Sequence, residues 1–187
     1  MGSSEIRAEI FRSEVLQGNA LGDPAERLVH VYLPPTHAAA SDRHPVAFLL
    51  AGFTGTGASF LKYEAWEEDI RARMDRLVST GRARPMILIL PDAMTRFGGS
   101  QYIDSTATGR YQDYLLELVD WADHTFRTLP RREARAIAGK SSGGFGALRM
   151  AMEHPQAFGL VADHSGDKYF EYCYLPELPR FHRAVEA

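Results

Sequence analysis

Short apolar runs that alternate with amphipathic segments are the feature of this chain that most constrains its fold. The runs are Leu28 to Leu33, Val46 to Leu50, Met86 to Leu90, Ala134 to Ala138 and Leu160 to Ala162, and Pro or Gly follows closely on the first three. Continuous apolar character at this length suits strands buried on both faces. Between the second and third runs, Trp66, Ile70, Met74, Leu77 and Val78 recur at helical spacing, which predicts a helix over 64–82. A second helix is expected over 111–129, where Tyr111, Tyr114, Leu115, Leu118, Val119, Ala122 and Phe126 fall on one stripe before Pro130 stops it. A third, over 143–154, follows the fourth run directly and ends before Pro155. Strands alternating with helices give an α/β class: a mostly parallel sheet with helices on both faces, in one domain over 1–187. Such a sheet carries its chemistry beyond the carboxyl ends of its strands, so the loops after Leu50, Leu90, Ala138 and Ala162 are the places to search.

The bulk properties exclude several classes. With 21 Lys and Arg against 24 Asp and Glu, the net charge is -3 and no basic stripe is present to follow a phosphate backbone, so nucleic acid is not an expected partner. No stretch approaches the roughly 18 apolar residues of a membrane span, and the polar start Met1 to Glu5 lacks the core of a secretion signal, which gives a cytoplasmic expectation and no membrane partner. The lone Cys173 has no internal partner and no ligand spacing around it, so neither a metal nor a redox pair is expected; it reads as a buried packing thiol.

The fourth run leads into Gly139-Lys140-Ser141-Ser142-Gly143, a G-x-S-x-G sequence between a predicted strand and a predicted helix. The pattern describes a sharp turn that lifts a serine above the sheet, with small neighbours admitting the strained backbone. Ser141 is the candidate nucleophile. Ser142, next in the chain and at the helix head, offers its backbone N–H to a developing oxyanion. The phosphate-binding alternative needs a glycine five residues before Gly139, where the chain has Ala134. A second oxyanion donor is expected from the loop after the second run, Ala51-Gly52-Phe53-Thr54-Gly55, with Phe53 N–H as the candidate and Gly52 lining the pocket.

These segments resemble the esterase family of α/β-hydrolases that includes S-formylglutathione hydrolase, feruloyl and enterochelin esterases and the mycolyltransferases. The resemblance rests on Val31 to Pro35, Leu49 to Gly55, Gly98 to Tyr102, Tyr111 to Tyr114 and Gly139 to Gly144, and so spans most of the chain. It implies an α/β-hydrolase fold and hydrolysis of a small-molecule carboxylic ester or thioester through an acyl-serine, with no metal or organic cofactor. It also implies that the loop bearing Tyr102 shapes the pocket beside the nucleophile. Acyl transfer to an alcohol is the alternative within the same family, and a non-catalytic binding module the alternative outside it.

In this fold the acid and the histidine of the triad follow the serine on later loops. After Ala162 the chain offers Asp163 to Asp167 and a tail rich in Tyr, Pro and Glu, without further strand and helix units. The expectation is therefore an incomplete domain lacking its C-terminal strands, with both partners beyond Ala187 and weak or no activity alone. Among the 7 histidines, His30, His37, His44, His124 and His154 read as structural or solvated, and His164 as a pocket-lining residue after the last run. Asp167 and Glu171 are expected at the pocket rim. An uncovered sheet edge would leave association with another copy of the chain open.

Overall fold

A computed structural model describes residues 3–38 and 41–186. Six strands form the main sheet: β1 (Glu5–Arg12), β2 (Glu26–Leu33), β3 (Val46–Leu50), β4 (Ile87–Leu90), β5 (Arg135–Lys140) and β6 (Leu160–His164), in the order β1-β2-β4-β3-β5-β6. β4, β3, β5 and β6 run parallel, whereas β2 is antiparallel to β4 and to β1. The order reverses at β3, which sits between β4 and β5, so the loop after Leu50 opens beside the end of β5.

Among the described residues five α-helices accompany the sheet: α1 (Ile70–Ser79), α2 (Tyr111–Thr125), α3 (Ser142–Glu153), α4 (Phe170–Cys173) and α5 (Leu178–Glu186). α1 lies on one face, where Met74, Ile70, Leu77 and Val78 pack with Tyr32, Ala47, Leu88 and Leu90. α2 and α3 cover the other, and Leu115, Leu118, Ala147 and Met150 join Phe48, Ile89 and Ile137 in the larger core. Each fully buried apolar side chain there contributes about 1.5–3 kcal/mol.

The α1 segment is shorter than its apolar spacing predicts. Asp69 accepts a hydrogen bond from Ala72 N–H at 2.7 Å and starts the helix there, while Gly81 at φ 69° follows its end. Trp66, expected on the apolar stripe, is fully exposed with φ 70°. Conversely β1 is missing from the apolar pattern because Glu5–Arg12 is an outer strand of alternating charge. The tail also departs from expectation, since α4 and α5 are helical. Cys173 is not buried: α4 lies on the outside, and Cys173 Sγ meets Lys168 O at 3.1 Å in an exposed position. The outer strand β6 exposes Leu160 and Val161, and α5 exposes Leu178, Phe181 and Val185. No helix among the described residues is long and apolar enough to cross a membrane.

Candidate active site

Ser141 stands in the bend between β5 and α3 with φ 55° and ψ -125°, a conformation that an L-residue adopts only under constraint. The constraint is close backbone packing. A Cβ on Gly139 would lie 2.3 Å from Gly143, and one on Gly143 would lie 2.2 Å from Leu50 O at the end of β3. Neither position admits a side chain, because what it would meet is main chain. Ser141 N–H donates to His164 O at 3.1 Å, which ties the bend to the end of β6, and Phe145 N–H donates to Ser141 O at 3.0 Å as the first turn of α3. Two strand ends and a helix head thus fix one serine.

Half-buried, the Ser141 side chain donates from Oγ to Asp167 Oδ1 at 3.2 Å. The other Asp167 oxygen accepts from Tyr174 OH at 3.3 Å and from Gln101 Nε2 at 3.4 Å, and Gln101 Nε2 also donates to Tyr174 OH at 2.9 Å. Burial, followed by the neighbouring Asp167 carboxylate, pushes the Tyr174 phenol upward from its ordinary pKa. Asp167, expected at a pocket rim, therefore touches the nucleophile itself. Its position depends on Asp163, whose Oδ1 accepts from Gly166 N–H at 2.8 Å and whose other oxygen pairs with Lys168. That lysine holds the Asp163 carboxyl below the usual range. A Cβ on Gly144 would lie 2.6 Å from Asp163 Oδ1, so the turn over 163–167 rests directly on the head of α3.

The loop after β3 reaches the same point. A Cβ on Gly52 would be 3.7 Å from Ser141 Cβ, which places this loop against the nucleophile. Phe53 O accepts from Gly99 N–H at 2.6 Å, and the Phe53 ring lies over Gly98, where a Cβ would be 2.4 Å from it. Phe53 N–H donates to no acceptor among the described residues. Ser142 is wholly buried and begins α3, where the first N–H groups have no intrahelical acceptor. Tyr102 sits beneath rather than at the mouth: it is buried, and its hydroxyl donates to Ala51 O at 2.9 Å. Burial raises its phenol well above the ordinary value. Its influence on a pocket runs through the loop it anchors. Gln101 and Tyr102 both have φ 55°, so this support is itself constrained.

The His164 side chain is exposed and contributes its backbone carbonyl to the bend. No imidazole hydrogen-bonds Ser141 Oγ among the described residues. Nor does any group of three or more His, Cys, Asp or Glu among them sit where it would hold a metal ion. Sequence reasoning placed Ser141, Ser142, Gly52 and Phe53 together, and the structure brings them together. It missed Tyr174, which bears no motif, and it marked Gln101 only as part of the Gly98 to Tyr102 segment; both meet Asp167 through the folding of distant loops.

Residues 19–170 match the model of a family described as putative esterase. Two curated relatives, Esterase MT1326 and Esterase Rv1288 of Mycobacterium tuberculosis strains, are each 29% identical over 141 residues. The match takes in 74% of this chain, which spans 28% of the length of each. Among solved structures, a ferulic acid esterase superposes with a TM-score of 0.72 at 28% identity, covering 88% of this chain and 58% of its own. FphF, a fluorophosphonate-binding serine hydrolase of Staphylococcus aureus, gives 0.71 at 19% identity over 91% of this chain and 60% of its own. An S-formylglutathione hydrolase from Agrobacterium tumefaciens gives 0.65 at 22% identity over 87% and 58%. The fold is the α/β-hydrolase fold.

Proposed function

This chain belongs to the putative esterase family, and from that premise we propose that Ser141 is the nucleophile of a carboxylic-ester or thioester hydrolase that works through an acyl-serine. The observation that carries the reading is the strained Ser141 backbone at the head of α3, with Gly52 against its side chain. An ester carbonyl laid over Ser141 Oγ would be attacked there, and its oxygen would take the negative charge. Phe53 N–H and Ser142 N–H are the proposed donors to that oxygen, reinforced by the positive end of α3. Collapse of the tetrahedral intermediate expels the alcohol or thiol and leaves the acyl group on Oγ. Attack by water then releases the acid and restores the serine.

Attack requires a base for the Oγ proton. Among the described residues Oγ meets the carboxylate of Asp167 and no imidazole, and a carboxylate is a weak base toward a hydroxyl. Lacking a triad partner lowers rate by on the order of 10⁴–10⁶, so residues 1–187 alone are expected to turn over slowly. Covalent labelling draws on the same Oγ and is slowed by the same lack of a base, so the test reads the site of the label after long incubation together with the residual turnover. A fluorophosphonate should add to Ser141, located by peptide mass spectrometry, and Ser141→Ala should abolish both the adduct and hydrolysis of p-nitrophenyl butyrate. Hydrolysis that survives Ser141→Ala refutes the assignment.

A further inference from the structure

Beside Ser141 lies a cavity of about 350 Å³ lined by Phe53, Gln101, Asp167, Cys173 and Tyr174. Its one charged lining residue is Asp167. Lys168, the adjacent cation in sequence, is engaged with Asp163, and Asp167 forms no ion pair among the described residues. The hydrogen bonds that Asp167 accepts come from a hydroxyl, a phenol and an amide, all neutral. Its negative charge is thus hydrogen-bonded but not neutralised. The same cavity carries two aromatic side chains, Phe53 and Tyr174, each left about two-fifths exposed. A lone carboxylate beside aromatic faces attracts cations through both charge and the ring quadrupole, and repels anions.

We propose that this cavity is a subsite for a positively charged amino or trimethylammonium group, so that the preferred substrates are esters bearing a cation near the reacting carbonyl. The inference rests on the assignment of Ser141 as nucleophile and adds the substrate class to it. Asp167 Oδ1 is 3.2 Å from Ser141 Oγ. A cation touching that carboxylate lies about 5–7 Å from Oγ, which corresponds to an ammonium about three or four bonds from the carbonyl carbon. Anionic acyl chains of equal length are disfavoured by the same charge. Gln101 orients the carboxylate by donating to it and to Tyr174, and so acts as a positioning residue.

Choline and 3,3-dimethylbutan-1-ol have nearly the same shape and differ in charge, so their binding to the 187-residue chain isolates the cation preference. Titration followed by ligand-observed NMR should show choline binding roughly tenfold tighter or more. That advantage should weaken with added salt, fall to within about twofold in Asp167→Asn, and shrink in Tyr174→Leu, each variant checked for folding by circular dichroism. Equal binding of the two alcohols, no binding of choline, or an undiminished preference in a folded Asp167→Asn or Tyr174→Leu protein overturns the proposal. Fluorophosphonate labelling run in parallel separates the two readings. Label located on Ser141 without choline preference removes the cation subsite alone; choline preference with the label on another residue, or with ester hydrolysis that survives Ser141→Ala, removes the nucleophile assignment and leaves a cation-binding site.

Discussion

If the Ser141 backbone is held in an unfavourable conformation, replacing Ser141 by glycine should stabilise the protein relative to replacing it by alanine. Both substitutions remove the Oγ hydrogen bond to Asp167, so that loss cancels in the comparison. Alanine keeps a Cβ and with it the cost of φ 55° and ψ -125°, about 1–3 kcal/mol for a non-glycine residue. Glycine escapes that cost but gives back about 0.5–1 kcal/mol through the greater freedom of its unfolded chain. The difference leaves Ser141→Gly more stable than Ser141→Ala by about 1 kcal/mol. For a chain of this size that is roughly a 2–4 °C rise in melting temperature. Thermal melts of the two variants side by side, supported by urea titrations with matching slopes, read the difference directly. A glycine variant that melts at or below the alanine variant would show that no conformational energy is stored at the nucleophile.

Three further outcomes follow from the same geometry. Tyr102→Phe leaves Ala51 O without its 2.9 Å donor in a buried place, costing about 1–3 kcal/mol in urea unfolding, and should slow fluorophosphonate labelling of Ser141 because the Gly52 loop loses its anchor. Gly143→Ala forces a Cβ to within 2.2 Å of Leu50 O, and should lower the urea midpoint by the equivalent of about 3 kcal/mol or prevent folding; a loss under 1 kcal/mol would contradict the close approach. His30, His37 and His44 are all pushed to lower pKa, first by burial, with Arg127 adding its repulsion at the last two. Below about pH 6.5 the unfolded chain then binds more protons than the folded one, so stability falls as pH drops through that window. His44→Gln should flatten the decline in unfolding midpoint between about pH 7 and 5, and a slope unchanged by it would mean that His44 is not desolvated.

Much of this fold is legible in the sequence because β3 and β4 are interior strands apolar on both faces, and β5 between them and β6 carries Ala136, Ile137 and Ala138 at its centre. β1 escaped because its residues alternate Glu and Arg with Ile and Ala on an outer strand, a pattern without a continuous apolar run. The extra helical turns expected before Ile70 came from Trp66, whose spacing mimics a stripe; the capping carboxylate of Asp69 decides the start instead. In the site, the glycines around Ser141 report themselves, since only their absence of side chains permits the contacts seen. Tyr174 left no such trace, and Asp167 and Gln101 were marked only as a rim residue and as part of the Gly98 to Tyr102 segment, without their contact to Ser141 or to each other. Gln101 stands 66 residues from Asp167 and 73 from Tyr174 along the chain, and it meets them because the turn after β6 is seated on α3.

The two halves of the site differ in how they are built, and the difference bears on what each does. The floor is main chain against main chain: Gly139 on Gly143, Gly143 on Leu50 O, and Ser141 N–H on His164 O. Contacts of this kind leave no rotamer to change, so β3, β5, β6 and α3 cannot shift separately without breaking several of them at once. That over-determination is what lets a strained serine persist, and it suits a nucleophile whose reacting geometry must not drift by an ångström. The rim is side chain against side chain: Gln101 and Tyr174, both partly exposed, are joined by hydrogen bonds through Asp167, and the partly exposed Phe53 ring lies over Gly98. Substitutions at the rim should therefore alter which ester is chosen while leaving Ser141 in place, whereas substitutions in the floor should cost stability before they alter choice.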